Sequence, residues 1–272
     1  MIPLKKEIKM QIELTTITPT MAKTILLKNN YNRKIKPYQV ESLTRDILSG
    51  NWKENGDAIR VMKDGTLLDG QHRLMACINA DLPIKSILVT NLQDDVMPTI
   101  DSGIKRTYND QLVLRGISYS GQVAAAIAHM IGIANNNPNR NKMATYAEKN
   151  KLLEQHLGLI DSSSIAHGSF PKIGSLLAAI HYIGVFTGHK AAADDFINVW
   201  RTGEKSYIND AARFTREYLI KSNGGNVGLN ANFKTKLIVQ SWNKFSMNEP
   251  MGQARVPDLY SIRGWTKKDL GF

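Results

Sequence analysis

The hydrophobic period of this chain changes near residue 110, and that change limits its architecture more than any other feature. Before it, short segments of period two alternate with segments of helical period. MQIELTTI (10–17) alternates as a strand does, and TPTMAKTILLKNN (18–30) follows from a Thr-Pro helix start. PYQVESLTRDILSG (37–50) sets Val40, Leu43, Ile47 and Leu48 at helical spacing and stops at Gly50. AIRVMKDGTLLDG reads as a β-hairpin turned by Lys63-Asp64-Gly65, HRLMACINAD as a helix, and IKSILVTNL (84–92) as a β-branched strand. Beyond the change, SYSGQVAAAIAHMIGIAN, PKIGSLLAAIHYIGVFTG, HKAAADDFINVWRTG, YINDAARFTREYLIKSN and NFKTKLIVQSWNKFSM all carry apolar residues at i, i+3 and i+4. The pattern predicts an α+β protein, with a small α/β domain over residues 1–110 and a mostly α-helical domain over 111–272. The polar run NNNPNRNKM (135–143) and the glycine-rich KSNGGNVGLNAN (221–232) read as long exposed loops.

Composition narrows the class. A hydrophobic fraction of 42% with 22% charged residues is that of a globular protein. No apolar run approaches the roughly 20 residues that span a bilayer, and MIPLKKEIKMQIEL lacks the apolar core of a secretory signal. Cys77 is the only cysteine, which excludes an intramolecular disulfide and a cysteine-built zinc site. The expectation is a cytoplasmic protein without a membrane partner. The net charge of +11, leaning toward the second half, favours phosphate-rich partners, DNA foremost, held in a salt-sensitive way.

The densest polar cluster is GTLLDGQHRLMACINA (65–80), where strand gives way to helix. Gly70 lets the backbone turn there without a Cβ penalty. The first helical N–H groups form an anion site at the positive end of the helix dipole. Arg73 can grip a phosphate with two parallel hydrogen bonds, and His72 can donate another or move a proton. Asp69 alone would pass for a helix N-cap. Two candidate cations in a first helical turn oppose the dipole, however, and an anion would offset that cost. Leu74, Met75 and Ile78 anchor the helix in the core, and Cys77 lies on the same apolar side.

Gly70-Gln71-His72-Arg73 resembles the shared box of the ParB/sulfiredoxin superfamily. The longer Asp-Gly-Gln-His-Arg-Leu string (69–74) is similar to the variant in ParB-like proteins of phages and mobile elements. Asn32-Arg33, the helix ending Gly50-Asn51-Trp52, and Thr99–Arg106 after the last strand match in the same order, so the resemblance covers roughly residues 10–115. It implies a sulfiredoxin-like fold and a site that holds nucleotide phosphates, CTP or ATP with Mg²⁺. The residues carried over as phosphate-binding are Asn32, Arg33, Gly70, Gln71, His72, Arg73, Lys105 and Arg106. Gln71 stands where ParB proteins have an acid, and the sulfiredoxin cysteine is absent. Asp69 and Asp101 are the candidate replacement carboxylates, with His72 as a third catalytic candidate, because phosphoryl transfer needs an acid beside its cations. The expected function is a nucleotide- and DNA-binding protein, with a homodimer among its open states. The alternatives are a kinase-like phosphotransferase or a nuclease at the same site, and an adaptor that has lost the chemistry.

In the second half, Arg201, Lys205, Arg213 and Arg216 could form a basic face with Tyr207, holding a nucleic-acid backbone regardless of sequence. Each residue singly also fits a solvated helix face. Trp200 and Trp242 sit at core spacing. His129, His156, His167, His181 and His189 lack metal-ligand spacing. The C-terminal YSIRGWTKKDLGF, aromatic and basic, either contacts DNA or packs on the first domain.

Overall fold

A computed structural model describes residues 9–30, 32, 34–93, 96, 107–138, 144–170, 173–207, 210–224, 230–255 and 259–272. The protein is of mixed α+β class, and its chain divides into two compact units, Met1–Lys105 and Arg106–Phe272.

The first unit runs β1 (Gln11–Ile17), α1 (Pro19–Leu26), α2 (Pro37–Leu48), β2 (Ala58–Met62), β3 (Leu67–Asp69), α3 (Gln71–Ala80) and β4 (Ile84–Leu92). Its sheet has the order β1-β4-β2-β3, with β1 antiparallel to β4, β4 parallel to β2, and β2 antiparallel to β3. The parallel step from β2 to β4 needs a crossover, and β3 with α3 supplies it. Thr18 caps α1 by accepting the Met21 N–H, and Pro19 occupies the first turn, where no N–H is needed. Helices α1 and α2 both pack on α3. The core beneath them is Ile17, Ile59, Leu67, Leu74, Ala76 and Cys77, all fully buried. Met75 and Ile78 are only partly buried against it. Leu48 departs from the expected face and is 59% exposed. Val40, Leu43 and Ile47 form the buried stripe of α2, and Leu48 falls about a quarter-turn off it.

The second unit contains α4 (Tyr108–Leu114), α5 (Ser120–Ala134), α6 (Tyr146–Gln155), α7 (Leu159–Ala166), α8 (Gly174–Phe186), α9 (Lys190–Thr202), α10 (Ala211–Gly224) and α11 (Ala231–Phe245). A short 3-10 turn at Lys267–Leu270 follows. Helix α8 is apolar on every side and buried continuously from Leu176 to Gly184, so it forms the centre that α5, α7 and α9 surround. Phe196 sets edge-to-face contacts with Trp242 and Phe245 at 5.4 and 5.3 Å. Trp200 and Trp242 are core residues, at 0% and 2% exposure.

Three differences from the sequence reading stand out here. Helices α4, α6 and α7 had no counterpart in it. Helix α10 continues through Lys221–Gly224, into the stretch read as loop; Lys221 and Ser222 prolong a helix readily. The apolar side chains of the C-terminal segment pack into the helical unit, while its Arg263, Lys267 and Lys268 are exposed. Tyr260, Ile262, Trp265 and Leu270 join the helical unit's own core, and the Trp265 indole N–H donates to the Met130 carbonyl at 3.0 Å. Of the polar run 135–143, residues 139–143 lie outside the described residues; Asn135 and Asn136 form the turn that ends α5.

Candidate functional site

The junction from β3 into α3 gathers the polar residues of the box. Gly70 takes φ 108°, in the left-handed region, and a Cβ there would stand 3.0 Å from Ile59 Cγ1. Both the turn and the close approach to β2 therefore require glycine. Asp69 ends β3 opposite Arg60 of β2 in the hairpin register. Its Oδ2 accepts from Arg60 Nη1 at 2.7 Å and from Arg73 Nη2 at 2.9 Å, while Oδ1 accepts the Gly70 N–H at 2.7 Å. Arg73 Nη2 also donates to the Ala58 carbonyl at 2.8 Å. Two guanidiniums thus share one carboxylate, leaving a net positive charge at the positive end of α3. The other Arg73 terminal nitrogen, Nη1, is buried and has no hydrogen-bond partner among the described residues.

The neighbours in the box are held from behind. Gln71 Oε1 accepts from Asn29 Nδ2 at 3.1 Å, and Asn29 Oδ1 accepts from Asn32 Nδ2 at 2.7 Å. Asn32 Nδ2 donates as well to the Leu67 carbonyl. Asn32 therefore reaches the box through Asn29 and fixes the loop before α2 to β3. His72 is buried, and its Nε2 accepts the Lys36 N–H at 3.0 Å. That nitrogen joins α3 to the start of α2, which gives the imidazole a structural use the sequence did not suggest. Arg33, Asp101, Lys105 and Arg106 lie outside the described residues. Arg60 is the residue sequence reasoning missed. Its signal was an arginine inside the apolar strand AIRVM, across a short hairpin from Asp69.

An orphaned guanidinium N–H is a charge-assisted donor of the kind that pairs with oxyanions. Asp69 Oδ2 is shared by two guanidiniums, while Oδ1 accepts the Gly70 N–H. Among the described residues no group of three or more His, Cys, Asp and Glu side chains could hold a metal ion. Cys77 is buried, its Sγ lies 3.2 Å from the Leu82 carbonyl oxygen, and desolvation pushes its thiol pKa up, away from reactivity.

Three of the basic residues singled out in the helical unit have intramolecular partners. Arg201 donates to the Ile165 carbonyl, and Arg216 donates to the Trp200 carbonyl at 3.0 Å while lying over the Phe170 ring. Arg213 pairs with Glu217 at 2.7 Å and, with its hydrogen bond, holds that carboxyl below its usual range. Lys205 is exposed, and the Tyr207 hydroxyl donates to the Glu249 carbonyl. Arg201 and Arg216 join neighbouring helices, Arg213 pairs within α10, and Lys205 stays exposed.

A Ser-His-Asp constellation also occurs there: His181 Nδ1 is 2.9 Å from Ser162 Oγ, and Nε2 is 3.0 Å from Asp194 Oδ1. Its exposure is opposite to that of a nucleophilic triad. Ser162 is 3% exposed, whereas the Asp194 side chain is 42% exposed and is also paired with Lys190. The serine is shut away from substrate, and the group ties α7 through α8 to α9.

No protein-family model, curated protein or solved structure matches this chain.

Proposed function

We propose that this chain is a ParB-like nucleotide- and DNA-binding protein whose Asp69–Arg73 junction takes a phosphate group. The observation that carries the reading is the buried, unpartnered Nη1 of Arg73 beside a carboxylate that already serves two guanidiniums. A buried donor left unpaired costs about 1–3 kcal/mol, more when it is charged. A phosphate oxygen brought by a ligand removes that cost. Gly70 and the start of α3 supply the turn and the dipole that favour the same anion. DNA is the second partner, on the strength of the +11 net charge. The geometry favours binding over a kinase or nuclease reaction, because Asp69 is occupied as a clamp for Arg60 and Arg73.

Titration calorimetry of the full chain with CTP, ATP, ADP and GTP, with and without Mg²⁺, tests the first part. At least one nucleotide is expected to bind, and Arg73→Ala to weaken it by about tenfold or more, some 1.4 kcal/mol. Arg73→Lys, which keeps the charge but loses the fork, should recover only part of the affinity. Absence of heat with all four nucleotides overturns the nucleotide reading. Duplex DNA retention should fall steeply between about 50 and 200 mM salt, and salt-independent retention would sink the DNA reading.

A further inference from the structure

The sheet of the first unit ends differently on its two sides. At β3 the edge is three residues long, its register with β2 shifts between Arg60 and Val61, and the chain turns at once into α3. A short, irregular edge does not invite a further strand. The edge at β1 has none of that protection. Gln11–Ile17 pairs with β4 over seven consecutive residues without a register shift, and QIELTTI contains neither proline nor lysine. Because β1 ends the strand order, its outer edge has no strand partner among the described residues. Alternate residues along that edge turn a backbone N–H and C=O outward.

The side chains select the strand that fits there. Met10, Ile12 and Leu14 share one face and are 54%, 61% and 62% exposed, while Lys9, Gln11, Glu13 and Thr15 occupy the other. Asn91 Nδ2 donates to the Lys9 carbonyl at 3.3 Å, which holds Lys9 and Met10 in line with the strand. A second copy of β1, laid antiparallel about a twofold axis, keeps the apolar faces together only if the axis passes through a residue. At Glu13 the axis would oppose two carboxylates. At Gln11 or Leu14 it would leave Leu14 or Met10 opposite positions beyond 9–17. At Ile12 it sets Ile12 against Ile12, Met10 against Leu14, Gln11 against Glu13 and Lys9 against Thr15. The whole apolar row is then matched, no like charges are opposed, and Lys9 lies diagonal to the second copy's Glu13.

We infer that two copies of this chain pair through β1, their sheets joining edge to edge about a twofold axis at Ile12. The occupant of the edge is a second copy because the strand is complementary to itself, in its apolar row and in its charges. Such an interface is isologous and closes at the dimer. It is separate from the Asp69–Arg73 junction and does not rest on the function proposed for it.

Sedimentation equilibrium of the full chain tests the inference. A dimer whose population rises with concentration is expected. Ile12→Lys sets two ammonium groups against each other on the axis, and should leave a monomer where the native chain is dimeric. Ile12 is exposed, so the fold is retained, and circular dichroism checks that. Leu114→Lys, at an exposed apolar residue of the helical unit, should leave the dimer intact. Ile12→Cys reads the register: directly opposed residues place their Cα atoms about 4.5–5.5 Å apart, within disulfide reach. That variant should cross-link on mild oxidation and Glu13→Cys should not, while buried Cys77 does not compete. The inference is overturned if the chain stays monomeric at millimolar concentration, if Ile12→Lys remains dimeric, or if Leu114→Lys dissociates the dimer. Failure of Ile12→Cys to cross-link, or equal cross-linking of Glu13→Cys, overturns it as well.

Discussion

Asp69 carries the most consequential geometry at the residue scale. Its Oδ2 bridges Arg60 and Arg73, and its Oδ1 accepts the Gly70 N–H. Asp69→Asn should therefore lower stability, because a neutral amide loses both ion pairs. Their side-chain exposures of 14–35% soften the loss to about 1–2 kcal/mol. The same variant should bind phosphate ligands at least as tightly, since it removes a negative charge beside Arg73. Thermal melts and calorimetry together check this, and loss of nucleotide affinity would restore Asp69 as a ligand-side residue. The cluster Asp69–Arg73 was legible in the sequence because its members are adjacent. The use of His72 was not, since its acceptor nitrogen meets Lys36, 36 positions away. Which nitrogen of a ring is already occupied depends on what packs over it.

Local chemistry wrote more helix into the chain than its apolar periodicity revealed. Helices α4 and α6 start with capping boxes: Thr107 with Asp110, and Thr145 with Glu148. A threonine followed three residues later by an acid is a readable start signal. These helices are short and bury few residues, so their stripes are faint. Thr145→Ala removes the acceptor for the Glu148 N–H, measured at 3.1 Å, and should cost about 1 kcal/mol in a urea melt. Thr145→Ser should recover most of that loss. Helix α8 presents the opposite case: its buried run, GSLLAAIHYIGVF, was evident as helix, while its central place required partners on every side. The capping boxes depend on residues three apart, and the placement of α8 depends on helices far along the chain.

For the whole molecule, acid should act first on the helical unit. His129 lies within reach of the Tyr260 hydroxyl, at 3.3 Å, and burial drives its pKa down to about 4. The unfolded chain binds that proton near the ordinary histidine value of 6.5, the folded chain only near 4. Stability from this group is complete above pH 6.5 and is lost as pH falls toward 4, by up to about 3 kcal/mol. Unfolding free energies measured across that window should slope accordingly, and His129→Gln should flatten the slope. Among the described residues no helix is long and apolar enough to cross a membrane. The mixed class, the run of strands and helices through residue 92, the helical second half and the box at the β3–α3 junction were all determined by the sequence, because each rests on local periodicity, turn chemistry or neighbouring residues. Only the tertiary structure decided that Arg60 joins Arg73 on Asp69, that Arg201 and Arg216 bind carbonyls within the chain, and that the C-terminal aromatics complete the helical core. Those outcomes depend on side chains brought together by packing from distant positions, which no local pattern records.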